Sequence, residues 1–181
     1  MDTKLKELVL YIADKCKDDP YFGATKLNKL LFLADINQYA SRGESITGST
    51  YIHKPNGPVA KRLLPVIQAL KKDGRAEEKE DEYFGYKRRR VIPQTGANAS
   101  LFKEEELSLV DMLIEQTRNL SATKLSDWTH TLSPWLLTVD GEEIPYSSVY
   151  VLNRLPVEAD GINWAKKELH KLKKQKNVIA A

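Results

Sequence analysis

Apolar residues recur at helical spacing in the first quarter of the chain. One face of a first predicted helix is formed by Leu5, Leu8, Val9, Ile12 and Cys16. This helix ends before Pro20, because proline has no N–H to donate and disfavours a helical residue before it. A second helix is predicted from Thr25, a candidate N-cap, to Gly43. Apolar residues lie on more than one of its sides, which predicts the central helix of the fold.

A third helix is predicted from Pro58, since the missing N–H of proline costs nothing at a first helical position. Gly74 is its expected C-terminal cap, and Pro65 is expected to kink it. Its buried face is predicted to carry Val59, Leu63, Ile67 and Leu70.

Three more helices follow by the same spacing. The fourth begins at about Glu104, and the fifth begins at Ser121 or Thr123 and ends at Pro134. The fifth is predicted to bury Leu125, Trp128 and Leu132. A last, Lys-rich helix is expected after Gly161.

Other segments have extended character. Residues 46–54 are rich in β-branched and aromatic residues, and a turn at 55–58 follows them. Residues 75–93 predict a hairpin that turns at Phe84-Gly85. Its register would pair Glu82 with Lys87, Asp81 with Arg88 and Glu80 with Arg89. The predicted fold is therefore mainly α with a small β component (α+β), a compact helical domain with a winged-helix-like β-hairpin after the third helix.

Composition narrows the class of protein. The 181 residues are enough for one domain with an apolar core, and the longest apolar runs are far too short to cross a bilayer. The N-terminal residues lack the features of a secretory signal, so we expect a cytoplasmic protein. One cysteine and three histidines predict neither a disulfide nor a metal site, and we expect no cofactor.

Candidate catalytic chemistry is sparse. Residues 43–50 approach a phosphate-binding loop, but Ser49 stands where the lysine would be. His130 follows Asp127 by three positions, so a carboxylate could orient its imidazole, and a structural or partner-contacting histidine is the favoured interpretation. Cys16 on an apolar helix face is expected in the core. The sequence predicts no enzyme.

Basic residues suggest a second class of function. Lys87, Arg88, Arg89 and Arg90 lie beside two tyrosines, as in a nucleic-acid-binding wing. The acidic residues opposite them would cancel much of that positive field, so pairing within the hairpin is favoured over nucleic-acid contact. For the lysines of the last helix, a solvated face is the favoured interpretation. The net charge of +3 permits nucleic-acid contact but does not require it.

Several motifs together resemble a known family. They comprise residues 25–35 (TKLNKLLFLAD), Tyr39, Ile46-Thr47-Gly48, Tyr51 and Gly57-Pro58-Val59. Their order and spacing resemble the Panacea domain of SocA-like antitoxins. A second, weaker part of the resemblance is carried by Thr129-His130, Trp135, Gly141 and Ile144.

The resemblance implies a phage-associated antitoxin that neutralises a co-encoded toxin by direct protein contact. It further implies a protease or its adaptor as an additional partner, since one SocA-like member delivers its toxin to a protease. The predicted Panacea domain spans residues 1–160, and residues 161–181 form a basic C-terminal helix and tail. Because the first helix starts almost at Met1, we expect no preceding DNA-binding domain. The alternative function is a nucleic-acid-binding transcriptional regulator that uses the hairpin and the last helix.

The candidate partner-binding residues are chosen for their place in the resembling motifs, their position in loops or their aromatic side chains. They are Tyr51, His53, Asn56, Gly57, Pro58, Trp128, His130 and Trp135. Loop residues on a rigid scaffold often meet partners, and tryptophan is enriched at binding hot spots. For Tyr51 and Gly57 a role in packing or turn geometry is an equal alternative, and for the two tryptophans the core is the favoured location.

Overall fold

The computed structural model describes residues 2–83 and 85–151. The helices are α1 (Thr3–Lys15), α2 (Ala24–Arg42), α3 (Leu63–Lys72), α4 (Glu104–Thr117), α5 (Ala122–His130) and α6 (Ser133–Leu136). The strands are β1 (Tyr51–Ile52), β2 (Val59–Ala60), β3 (Ala76–Tyr83), β4 (Tyr86–Pro93) and β5 (Glu143–Ile144). Two short 3₁₀ helices span Ala99–Leu101 and Tyr146–Tyr150. The α+β class is confirmed.

The core forms around α2. All seven residues from Leu30 to Ile36 are buried, so this helix has no continuous solvent-facing stripe along that stretch. It packs against α1, α4, α5, β2 and β4. The left-handed Gly43 (φ 76°) ends it and donates its N–H to the carbonyl of Tyr39. The prediction of a central helix is confirmed.

Two small antiparallel sheets accompany the helices. One has the strand order β2-β1-β5, and the other is the β3-β4 hairpin. The predicted hairpin register is confirmed at all three pairs, Glu82 with Lys87, Asp81 with Arg88 and Glu80 with Arg89. The likeness of this hairpin to a winged-helix wing stays a prediction.

The prediction that α3 begins at Pro58 is wrong. Val59 and Ala60 instead form a strand on β1, and the N–H of Ala60 donates to the Asn28 side chain on α2. The helix begins at Leu63, so Pro65 lies in its first turn, where no intrahelical partner exists for its missing N–H. Val59 is consequently only half-buried, whereas Leu63, Ile67 and Leu70 are buried as predicted.

Smaller corrections concern the other helix boundaries. Gly23, not Thr25, is the N-cap of α2. Ser121 is the N-cap of α5 and accepts a hydrogen bond from the N–H of Lys124, which decides between the two predicted starts. Trp128, predicted to be buried, is 37% exposed. The fifth helix is followed by α6, which begins at Ser133 and carries Pro134 in its first turn.

The predictions on membrane spans, domain division and the last helix have different outcomes. No helix in residues 2–83 and 85–151 is long and apolar enough to cross a membrane. The described residues belong to one compact unit, 1–151. The predicted last helix after Gly161 lies outside the described residues, and the predicted boundary at residue 160 stays a prediction.

Candidate functional site

Three aromatic rings from different parts of the chain form one stack. His53 lies just after β1, His130 ends α5, and Trp135 lies in α6. The indole of Trp135 stacks between the two imidazoles, with ring centroids 4.2 Å from His53 and 4.1 Å from His130. The interplanar angles are 24° and 22°. The structure thus brings together three of the predicted partner residues.

The turn at 55–58 packs beside this stack on the surface of α2 and α5. The carbonyl of Asn56 accepts a hydrogen bond from Ser126 Oγ at 2.9 Å, and that of Pro58 accepts one from Lys29 Nζ at 3.1 Å. Gly57 has a φ of 92°. A Cβ at Gly57 would lie 2.8 Å from both Lys29 Cε and Thr129 Oγ1. Glycine is therefore required here by backbone conformation and by close packing.

Burial lowers the pKa of two basic groups at this site. Desolvation lowers the pKa of Lys29 to about 8. Desolvation also lowers the pKa of His130, and the nearby charges of Lys29 and His53 lower it further against the opposing effect of Asp127. Within the described residues no hydrogen bond joins Asp127 to His130, and His130 Nε2 has no partner. The imidazole is positioned by stacking on Trp135, not by the carboxylate that the sequence suggested.

Replacing Lys29 by methionine is expected to remove a rise in stability between pH 8 and pH 10.5. In that range the unfolded chain still holds the lysine proton that the folded chain has released, so the free energy of unfolding increases with pH. Each pH unit contributes about 1.4 kcal/mol, which gives roughly 3 kcal/mol in total. Urea unfolding of both proteins across this range measures the difference. Lys72→Met, at an exposed lysine, is the matched control and should behave as the unsubstituted protein does.

The other predicted partner residues differ in accessibility. Asn56 is exposed, Gly57 and Pro58 are buried, and Trp128 lies on α5 with 37% of its surface exposed. Tyr51 is buried, packs edge-on against Phe32 and donates a 2.7 Å hydrogen bond to Asp35. The packing alternative for Tyr51 therefore has direct structural support, while its role as a partner contact stays a prediction.

Buried charged residues of α2 connect this site to the rest of the fold. Asp35 accepts hydrogen bonds from the backbone N–H of Thr47 at 2.7 Å, from the Thr47 hydroxyl and from Tyr51. Burial raises the pKa of Asp35, against the lowering effect of these donors. Lys26 pairs with Asp19 at 2.6 Å, with both side chains almost fully buried. Sequence reasoning assigned no role to these residues, although charges within an apolar run were a signal.

The basic hairpin uses two of its arginines within the chain. Arg88 forms a bidentate pair with Asp81, at 2.7 and 2.9 Å, and its guanidinium lies 5.0 Å from the Tyr83 ring centroid. Arg90 donates to the carbonyl of Lys17. Lys87 and Arg89 are exposed and line a cleft of about 680 Å³ between the hairpin and the first turns of α2 and α5. Intramolecular pairing is thus confirmed for Arg88, and nucleic-acid contact by the hairpin stays a prediction.

Metal and thiol chemistry have no support in the described part of the chain. Residues 2–83 and 85–151 contain no group of three or more His, Cys, Asp or Glu side chains that could hold a metal ion. Cys16 is buried, as predicted, and burial raises the pKa of its thiol to about 12. A thiol with that pKa is almost entirely protonated at neutral pH and is a poor nucleophile.

Comparison with protein families gives a match to a family model. A family model described as Antitoxin SocA-like, Panacea domain, matches residues 27–136. That range is more than half of the chain, and it contains all eight of the predicted partner residues. No curated protein and no solved structure gives a significant match.

Proposed function

Since this chain belongs to the SocA-like Panacea antitoxin family, we propose that it is the antitoxin of a toxin-antitoxin pair and neutralises a co-encoded protein toxin by direct binding. The observation that carries the proposal is the family match over residues 27–136. Recruitment of a protease or its adaptor, a role in phage defence and a cytoplasmic location are further predictions that rest on the same resemblance.

The geometry of the candidate site supports binding by a preformed surface. The His53-Trp135-His130 stack and the turn at 55–58 are held by contacts from α2, α5 and α6. Side chains that are ordered before binding lose less conformational entropy on association. A site of this kind neutralises another protein by occupying its surface.

Coexpression tests the proposed function. The protein encoded beside this chain is expressed in bacteria alone and together with the chain, and we expect growth arrest in the first case and rescue in the second. Affinity purification of the tagged chain should recover the two proteins as one complex. A variant at a remote exposed position, Met112→Ser, is the control and should rescue growth equally well. A harmless neighbouring protein, or rescue with no complex, would contradict the proposal.

A further inference from the structure

The last residue of α6 and the three residues after it include three large exposed apolar side chains. The exposed fractions are 52% for Leu136, 53% for Leu137 and 65% for Val139. Single exposed apolar residues are normal on protein surfaces, but a continuous group of them indicates an interaction site. We define residues 136–139 as the apolar loop.

The apolar loop is held firmly in place. Trp135, directly before it, is fixed between the two imidazoles of the stack. Thr138 Oγ1 lies 3.0 Å from His53 Nδ1 and forms a hydrogen bond with it. The N–H of Val139 donates to a carboxylate oxygen of Glu142 at 2.9 Å. The loop therefore presents its apolar side chains in a fixed arrangement, which lowers the entropic cost of binding.

Acidic residues outnumber basic ones in the part of the sequence that contains the apolar loop. Residues 125–151 contain no lysine or arginine and four acidic residues, although the chain has 28 Lys and Arg and a net charge of +3. Three of the four acidic residues, Asp140, Glu142 and Glu143, directly follow the loop. Lys54 lies 3.5 Å from Asp140, and Lys61 lies 2.8 Å from Glu143. Both ion pairs are exposed, so they contribute little to stability. A complementary surface would be apolar at its centre and basic at its border.

We propose that the apolar loop is the docking site for the protein toxin, and that the toxin receives it in an apolar recess bordered by lysine or arginine residues. The inference rests on the proposed function and adds the binding surface and the chemistry of the partner. The candidate residues His53, His130 and Trp135 act in this arrangement as positioning residues behind the loop.

The decisive variant replaces Leu136, Leu137 and Val139 together by serine. All three side chains are more than half exposed, so the fold should be retained, as circular dichroism and the thermal midpoint would show. We expect the dissociation constant for the purified toxin to rise roughly 100-fold and growth rescue to be lost. The matched control is Leu64→Ser on α3, an apolar residue that is 60% exposed, and it should bind as the unsubstituted chain does.

A second variant tests the basic border of the partner. Asp140→Lys is expected to slow association with the toxin roughly tenfold at low salt and to matter less at high salt, because charge at an interface border acts mainly on the rate of association. Glu105→Lys, an exposed charge reversal on α4, is the control and should leave the rate unchanged. Faster association of Asp140→Lys would contradict a basic partner surface.

The possible outcomes separate this inference from the proposed function. If the unsubstituted chain binds and rescues and the triple serine variant does the same, the docking site is wrong and the antitoxin function stands. If the unsubstituted chain binds no co-encoded toxin, both fail. Self-association of the chain that the triple variant abolishes, measured by sedimentation, would assign the loop to a second copy and overturn the inference.

Discussion

Replacing Lys26 by methionine is expected to lower the free energy of unfolding by roughly 3 to 5 kcal/mol, the range for breaking a buried ion pair from one side. Lys26 Nζ lies 2.6 Å from a carboxylate oxygen of Asp19, and both side chains are at most 3% exposed. The same ammonium donates to the carbonyls of Thr117, Arg118 and Leu120 at the end of α4. Methionine fills similar space, but it leaves the buried carboxylate without its cation and takes one donor away from each of the three carbonyls.

The comparison of two variants separates the ion pair from the carbonyl contacts. In Lys26→Met with Asp19→Asn, the charge of the orphaned carboxylate is removed, and we expect about half of the lost stability to return. Urea unfolding followed by tryptophan fluorescence measures both variants, with Lys15→Met as the control at a lysine whose ion pair is exposed. Exposed ion pairs contribute less than about 1 kcal/mol to the free energy of unfolding. If Lys26→Met lost no more than that, the buried pair would contribute no more to stability than a surface pair does.

The helices and the hairpin could be predicted because their signals are local. The apolar spacing of α1 and the acidic start of α4 each lie within a few turns of one helix. In the hairpin, acidic residues before the turn and basic residues after it predict the register, and the structure confirms it. The prediction for Pro58 used equally local logic and was wrong, because the following residues pair with β1 and with Asn28, which is 32 positions away from Ala60.

The sequence predicts candidate residues one by one, but it does not predict which of them lie together in the fold. Loop and aromatic residues were proposed one by one, and the structure shows that His53 and Trp135 stack although 82 positions separate them. No spacing rule predicts such a contact from one sequence. The buried charges were missed for a different reason, since helical periodicity assigns lysine and aspartate to the solvent side. Lys26, Lys29 and Asp35 lie instead on buried positions of α2, where each holds a distant segment by hydrogen bonds or an ion pair.

Replacing Asp35 by alanine is expected to lower the free energy of unfolding by roughly 3 kcal/mol or more, since each buried donor left without an acceptor costs about 1 to 3 kcal/mol. The donors that lose this acceptor are the buried Tyr51 hydroxyl and the N–H and hydroxyl of the half-buried Thr47, whose hydroxyl keeps Ser49 Oγ at 2.9 Å. Because Tyr51 pairs with Ile144 of β5, the loss also loosens the strand that follows the apolar loop. Chemical unfolding gives the global effect, and hydrogen exchange of the Thr47 amide gives the local one.

Two further variants show whether the carboxylate itself is responsible. Asp35→Asn keeps the volume and one acceptor oxygen, so we expect a smaller loss than for alanine and intermediate exchange at Thr47. Tyr146→Phe removes a hydroxyl that lies 3.4 Å from Asp35 and donates to the Ser49 carbonyl at 2.6 Å, and it should cost about 1 kcal/mol, as a typical hydrogen bond does. If alanine at position 35 were no more destabilising than Tyr146→Phe, the carboxylate would not be the centre of this network. Toxin binding by Asp35→Asn is then measured at low temperature, where the variant is folded. The change in affinity reports how strongly the conformation of the apolar loop depends on the position of β5.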